Sequence, residues 1–300
     1  MDFALAERLD ELPSLLGVVL AGGCVGFLSG VFGIGGGFLL VPVLHIVLNV
    51  EMNLAVGAGA CQVLGPATTS LLARRITCRQ TRLPLTIAGG LLIGVFSGTH
   101  VLELAKQQQS FSLAGKTVKM ADIVVLTTYF VLLLGVGLFA LWEARGTRTG
   151  QRVFRGWIAG WYIPPYANFE EFDQLRVSIV TLCWFGLAVG FLAGLLGMSG
   201  GLIVIPGLIY LLGMKTHQAV FCSLVIIWIV AFQTTIAHAL NNNIDLPCVM
   251  ALLLGGTVGA RFGSEVGVRL GGRQLRWNFG WLLLGTAFLI GGRLIWLVAI

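Results

Sequence analysis

The sequence has little charge. Asp, Glu, Lys and Arg together make up 11% of its 300 residues, whereas soluble domains carry about 25%. Hydrophobic residues make up 57%, and the mean hydropathy is +0.91. This composition argues against a soluble enzyme or binding module and predicts an all-α polytopic membrane protein.

Motifs for metal binding and catalysis are also lacking. The six cysteines show no CxxC spacing and lie in or beside apolar runs, which favours buried small side chains. The four histidines are scattered, without HxxxH spacing or a carboxylate partner at ligand spacing. Acidic residues fall near the ends of apolar runs, so no acidic proton relay is expected within the membrane. We predict that the chain is not an enzyme and that it needs no cofactor or metal.

Long apolar runs are present instead. A bilayer core of about 30 Å needs about 20 apolar helical residues for each span. Six runs meet this length, at 54–73, 83–102, 123–142, 217–240, 246–268 and 279–298. Two further runs, 15–50 and 177–213, are too long for one span, and glycines interrupt both. The first fourteen residues carry four acidic side chains against one Arg, unlike the cationic start of a signal peptide, so we expect no cleavage.

The chain contains an internal repeat. Residues 26–44 read GFLSGVFGIGGGFLLVPVL and residues 190–208 read GFLAGLLGMSGGLIVIPGL, identical at nine of nineteen positions with an offset of 164. Farther on, GxxxGxxxG ridges occur in both halves and favour close helix packing in lipid. These ridges are Gly90, Gly94 and Gly98 in the first half, and Gly255, Gly259 and Gly263 in the second.

Loop charge distinguishes two architectures. If each glycine-broken run crosses the membrane once, the basic loop residues divide ten to seven between the two sides. If each run turns back, they divide thirteen to four, which fits the positive-inside rule. We therefore predict about ten membrane segments as two inverted five-segment repeats, with the first stretch of each repeat broken at its Gly-rich motif. Such construction is common in secondary transporters, whose substrate sites lie between the repeats.

The glycine motifs are the candidate binding site. Glycine lets backbone N–H groups approach a ligand, and the start of a helix carries partial positive charge, so two such starts would hold an anion. Close helix packing is the alternative role. Polar side chains inside spans are further candidates, and Arg261 either offers a cation to the anion, reaches the cytoplasmic surface or pairs with Glu265. The substrate-binding candidates are Gly33, Gly35, Gly36, Gly37, Gln62, Gly197, Ser199, Gly200, Gly201, Ser223 and Arg261.

The predicted organisation is a first membrane repeat at 1–142, a cytoplasmic interfacial linker at 143–176 and a second membrane repeat at 177–300. Both termini are expected outside the inner, or plasma, membrane. The net charge of +6 follows from basic residues in short loops and not from nucleic-acid binding. The expected partners are a small anion and the lipid bilayer, and a homo-oligomer is left open.

The paired glycine motifs, each followed by a proline (Pro42, Pro206) and an Ala-Val pair (Ala55-Val56, Ala219-Val220), resemble the TauE/SafE family of sulfite and sulfonate transport proteins. The likeness extends over nearly the whole chain. It implies secondary transport of sulfite, a sulfonate or a sulfoacetate-like anion. The family's Thr-Ser pair is absent after Val56, while Ser223 is kept in the second half. An accessory membrane subunit and a passive anion channel are the alternatives.

Overall fold

The structure is a computed structural model that describes residues 15–32, 37–73, 81–107, 111–113, 116–146, 163–169, 175–198, 200–269 and 272–299. Helices dominate these residues. In chain order they are α1 (Leu15–Phe32), α2 (Gly37–Pro42), α3 (Met52–Ala73), α4 (Arg82–Gln107), α5 (Met120–Gly146), α6 (Ile179–Leu196), α7 (Gly201–Pro206), α8 (Thr216–Leu240), α9 (Leu246–Arg269) and α10 (Gly272–Ala299). Two short hairpins are formed by β1 (Phe111–Leu113) with β2 (Lys116–Val118), and by β3 (Tyr166–Phe169) with β4 (Leu175–Ser178).

Each apolar run predicted to cross the membrane lies in a helix. Six of the described helices, α4, α5, α6, α8, α9 and α10, are long and apolar enough to span a bilayer. Large apolar side chains cover their outer surface; Phe288, for example, is 83% exposed and Trp184 is 67% exposed. An apolar exterior is stable only in lipid, so the chain is an all-α polytopic membrane protein, as predicted.

Each glycine-rich stretch lies between a long helix and a short one, and residues 33–36 of the first stretch lie outside the described residues. We call residues 33–36, between α1 and α2, the first break, and residues 197–200, between α6 and α7, the second break. The short helices α2 and α7 each continue into a π-helical turn, Val43–Val47 and Gly207–Leu211. The described residues of the two halves therefore share the order long helix, short helix and π turn.

The same reversal follows each π turn. Asn49 and Gly213, 164 residues apart, both have positive φ, at 52° and 72°. The N–H of Val50 donates to the carbonyl of Leu44 over 3.0 Å, and the N–H of Met214 donates to that of Leu208 over 3.1 Å. These hydrogen bonds close the turn and direct the chain into α3 and α8. The internal repeat thus extends to backbone detail that side-chain identity does not show.

The glycine ridges join two pairs of parallel helices. Gly255, Gly259 and Gly263 of α9 lie against successive turns of α1, from Val19 to Phe27. Gly90, Gly94 and Gly98 of α4 lie in the same way against α6, from Cys183 to Phe191. A Cβ on any of these glycines would overlap a backbone carbonyl of the partner helix. The prediction that these ridges allow close packing is confirmed.

Two other helix pairs are antiparallel. The Trp228 indole of α8 donates to Oγ1 of Thr68, late in α3, over 3.0 Å. Gly57, early in α3, lies instead against Asn243, just beyond the end of α8. In the α5–α10 pair, Phe130 contacts Gly291, while the Arg145 guanidinium lies 5.6 Å from the ring centroid of Trp277. In these two pairs, α3 with α8 and α5 with α10, the helices run in opposite directions.

The hairpins lie in connections between helices. The β1–β2 hairpin joins α4 to α5, and β3–β4 immediately precedes α6, with Tyr166 opposite Ser178. The segment predicted as an interfacial linker contains the end of α5 and this second hairpin, which the sequence reasoning did not anticipate. Residues 147–162 and 170–174 of that segment lie outside the described residues.

Candidate functional site

The second break begins with a left-handed glycine. Gly197 has φ 64° and ψ 25°, and its N–H donates to the carbonyl of Ala193 over 2.8 Å. The last carbonyl of α6, that of Leu196, accepts a hydrogen bond from the buried Tyr129 hydroxyl over 2.8 Å. Both groups close the end of α6 inside the protein, where water is not available. The chain can then turn without leaving the helix end unsatisfied.

The break ends at the start of α7. Gly200 also has positive φ, 67°, and its carbonyl accepts from the N–H groups of Ile203 and Val204 over 2.9 and 2.8 Å. The first N–H groups of a helix have no acceptor within the helix. Those at the start of α7 belong to Gly201 and Leu202, both buried. A buried helix start, whose first N–H groups have no acceptor within the helix, is chemically suited to an anion.

α3 brings the two halves together at this point. A Cβ on Gly59 would lie 2.8 Å from the carbonyl oxygen of Gly197 and 2.8 Å from a methyl group of Val41, on α2. One turn earlier, Val56 presents its backbone to Gly197 so closely that only glycine fits there. The short helix of the first half and the second break are therefore neighbours across one turn of α3.

Three of the other predicted site residues lie in buried positions. Gln62, 8% exposed, is one turn after Gly59, and its amide lies against the backbone of Gly256 on α9. Gly37, the first residue of α2, is buried. Ser223, 1% exposed, donates its hydroxyl to the carbonyl of Val220 within α8 over 2.8 Å. That bond leaves the lone pairs of the Ser223 oxygen to accept from another group.

One predicted residue, Arg261, is not brought to the second break. Arg261 lies on an exposed position of α9, where its carbonyl accepts from the Ser264 hydroxyl over 2.7 Å. Its side chain therefore points away from the buried glycine contacts of that helix. Four further candidates, Gly33, Gly35, Gly36 and Ser199, lie outside the described residues.

Sequence reasoning missed a polar group beside the second break. His238 of α8 is 0% exposed, and its Nε2 lies 3.0 Å from the carbonyl oxygen of Gly194, three residues before Gly197. Asn243, 1% exposed, donates its amide to Glu103 of α4 over 2.6 Å and accepts from Lys106 over 3.1 Å. The partners are more than 40 residues apart in the chain, so no local spacing identifies them. The only sequence signal is the polar Asn241-Asn242-Asn243 run between two spans.

A cavity opens beside this polar group. It has a volume of about 290 Å³. Its lining is mostly polar and comes from α4 and the end of α8. The lining residues are Phe96, Thr99, His100, Glu103, Gln107 and Asn241.

An ion pair lies at the start of α3 and α5. The Lys119 ammonium is 2.8 Å from the Glu51 carboxylate, and this hydrogen bond raises the pKa of Lys119 above its usual value. Both side chains are well exposed, at 60% and 44%, so the pair stabilises the protein little. The ion pair shows instead that Glu51, just before α3, and Lys119, just before α5, lie on the same side of the molecule.

Comparison with known proteins agrees with the resemblance drawn from the motifs. The profile of the family described as "Sulfite exporter TauE/SafE" matches residues 18–290. A "Probable membrane transporter protein" of Xylella fastidiosa (strain 9a5c) is 25% identical, over 93% of this chain and 95% of its own length. The "Probable membrane transporter protein YjnA" of Bacillus subtilis (strain 168) is 26% identical, over 89% of this chain and 96% of its own. No solved structure matches the chain.

Proposed function

The chain belongs to the sulfite exporter TauE/SafE family and is a membrane transporter; from this premise we propose that it is a secondary transporter, and not an enzyme, for a small sulfur-containing anion. Sulfite, a sulfonate or a sulfoacetate-like anion would cross the cytoplasmic membrane. The observation that carries this proposal is the buried start of α7, where the N–H groups of Gly201 and Leu202 have no acceptor within the helix, beside α2 of the other half.

We propose that ten membrane segments form two inverted repeats. With ten alternating segments, the parallel pairs α1–α9 and α4–α6 and the antiparallel pairs α3–α8 and α5–α10 all have the required directions. If each broken run crossed only once, α3 and α8 would be parallel, and so would α5 and α10. The contacts of Gly57 with Asn243 and of Phe130 with Gly291 support the inverted arrangement.

In the proposed orientation, the linker faces the cytoplasm of the inner membrane and both termini face outward. The support is the thirteen-to-four division of basic loop residues in the sequence. The Glu51–Lys119 pair is consistent with it, because both residues belong to the outer side in this arrangement. The second break then lies toward the outer surface, since Gly197 contacts Val56 near the outer end of α3.

The anion is held, in this proposal, by backbone donors and not by a charged side chain. The candidate residues are those of the two breaks and the first residues of the short helices, Gly37 and Gly201, together with Gln62 and Ser223. A sulfonate or sulfite group presents several oxygens that accept hydrogen bonds in different directions, which matches a cluster of fixed N–H groups. Since Arg261 is exposed, we expect it to serve the bilayer surface and not the anion.

The test is flux of the purified full chain in proteoliposomes. We expect uptake of radiolabelled sulfite or of a sulfonate, and accumulation driven by an ion gradient. Transport of a cation without either anion would overturn the proposal. Anion movement that only ever follows the anion's own gradient would indicate a passive channel instead.

A further inference from the structure

His238 has one ring nitrogen in use and one free. Its Nε2 lies 3.0 Å from the carbonyl oxygen of Gly194. A carbonyl oxygen only accepts, so Nε2 carries the hydrogen and Nδ1 presents a lone pair. Nδ1 is buried and has no hydrogen-bond partner among the residues that the structure describes. An unsatisfied buried acceptor is costly, so it points to a species that is bound for part of the cycle.

The imidazole is close to the second break. Gly194 is three residues before Gly197, which is about 4.5 Å along a helix. A proton on Nδ1 would place a positive charge in this low-dielectric region, on the side of the molecule where the second break leads into α7. An anion at the break and a proton on His238 would therefore stabilise each other, and linkage requires each to raise the affinity for the other by the same factor.

The cavity beside α4 reaches residues that neighbour His238 in the structure and in the chain. Thr99 lines it, and the backbone N of Thr99 would lie 3.1 Å from a Cβ on Gly194, the residue that holds His238. Asn241, three residues after His238, lines it too.

The other ionisable groups on the elements packed around His238 either have a hydrogen-bond or ion-pair partner of their own or lie at another part of the helix. On α4, Glu103 and Lys106 are 3.8 Å apart and share the Asn243 side chain. In the turn after α8, Asp245 accepts from the N–H of Cys248 over 3.3 Å. On α3 the nearest is the thiol of Cys61, toward Thr235, and on α6 it is Cys183, at the opposite end beside Thr86. α7 carries no ionisable side chain.

We propose that Nδ1 of His238 is a proton-binding site and that one proton taken up there accompanies each anion bound at the second break. The Nδ1 lone pair forms a bond to a proton delivered by water in the cavity beside α4, and the neutral imidazole becomes imidazolium. No other bond changes, and the proton leaves to water when the anion does. This inference rests on the proposed function, because the anion must bind at the break.

The test measures binding of isethionate, a sulfonate whose charge is constant between about pH 5 and 8. The full chain in detergent is titrated across this range, where histidine changes charge. We expect affinity to rise as pH falls, by at most about tenfold per pH unit for one linked proton. His238→Gln keeps an N–H donor for Gly194 but cannot take a proton, so its affinity should be independent of pH. His100→Gln, at an exposed histidine of the cavity wall, should keep the wild-type dependence.

A second measurement does not depend on a variant. Adding isethionate to wild-type protein in weak buffer should remove about one proton per anion bound from solution, reported by a pH-sensitive dye. Binding with no pH dependence and no proton uptake would overturn this inference and leave the proposed function intact. A pH dependence that persists in folded His238→Gln would also overturn it. Failure to bind or transport any sulfur anion at any pH would overturn the proposed function itself.

Discussion

Gly197 has both a special backbone conformation and no space for a side chain. Its φ is 64°, and a Cβ there would overlap the backbone of Val56 on α3. The left-handed conformation alone costs an L-residue about 1–2 kcal/mol, and the neighbour is backbone that cannot rotate away. We expect Gly197→Ala to lower the free energy of unfolding by more than about 1 kcal/mol, measured as a lower apparent melting temperature in detergent.

Gly135→Ala is the matched control for that substitution. Gly135 lies inside α5, and nothing is within 4 Å of its Cβ position. Alanine in an open helical position stabilises by about 0.5–1 kcal/mol relative to glycine. Equal melting temperatures for Gly197→Ala and Gly135→Ala would contradict the backbone constraint that we infer at Gly197.

Single residues were predictable from sequence only where the repeat marked them. Gly197 and Gly200 stood out because the same motif occurs 164 residues earlier, and both have the positive φ that glycine favours. His238 did not stand out, since its partner Gly194 is 44 residues away and offers only a backbone carbonyl. Side-chain spacing along the chain carries no information about a contact of that kind.

Among the helices, α4 and α6 depend on a close glycine contact. A Cβ on Gly94 would overlap the carbonyl of Leu187, whereas nothing lies within 4 Å of a Cβ on Gly89 of the same helix. We expect Gly94→Ala to separate the two helices and destabilise the protein by about 1–3 kcal/mol, as overpacking typically does. Gly89→Ala should be neutral or slightly stabilising.

The comparison is made by thermal unfolding of both variants in one detergent. An equal melting temperature for Gly94→Ala and Gly89→Ala would show that α4 and α6 do not depend on this ridge. The two variants could also have the same melting temperature in detergent but give different yields of folded protein from membranes. That result would show that Gly94→Ala affects membrane insertion and not helix packing.

The helices were the more predictable elements, because apolar length fixes a span. The β3–β4 hairpin was not predicted: Tyr166–Phe169 and Leu175–Ser178 are only four residues each, too short for a periodic signal. The π turns after α2 and α7 were also missed, since they depend on backbone hydrogen bonding around Pro42 and Pro206 and not on composition.

At the scale of the whole molecule, sequence and structure contribute different parts of the topology argument. Loop charges suggest which side faces the cytoplasm. Helix directions come only from contacts, such as the indole of Trp228 against Thr68. The inverted arrangement is tested by a measurement that depends on the side of the bilayer.

Cysteine labelling in intact cells provides that measurement. The native cysteines are first replaced, and single cysteines are introduced at Glu51 and Lys215. Ten alternating segments place Glu51 outside and Lys215 inside, because the chain returns to its starting side at each break. Eight segments place the two residues on the same side. We expect an impermeant maleimide to label Glu51→Cys in intact cells, and Lys215→Cys only after permeabilisation.

The pairing of Glu51 with Lys119 supplies an internal control for this prediction. The two side chains are 2.8 Å apart, so both schemes place them on one side, and Lys119→Cys must label like Glu51→Cys. If it does, and Lys215→Cys also labels in intact cells, the broken runs each cross the membrane once. The antiparallel α3–α8 pair would then conflict with the measured topology, and a pocket between inverted halves could not form.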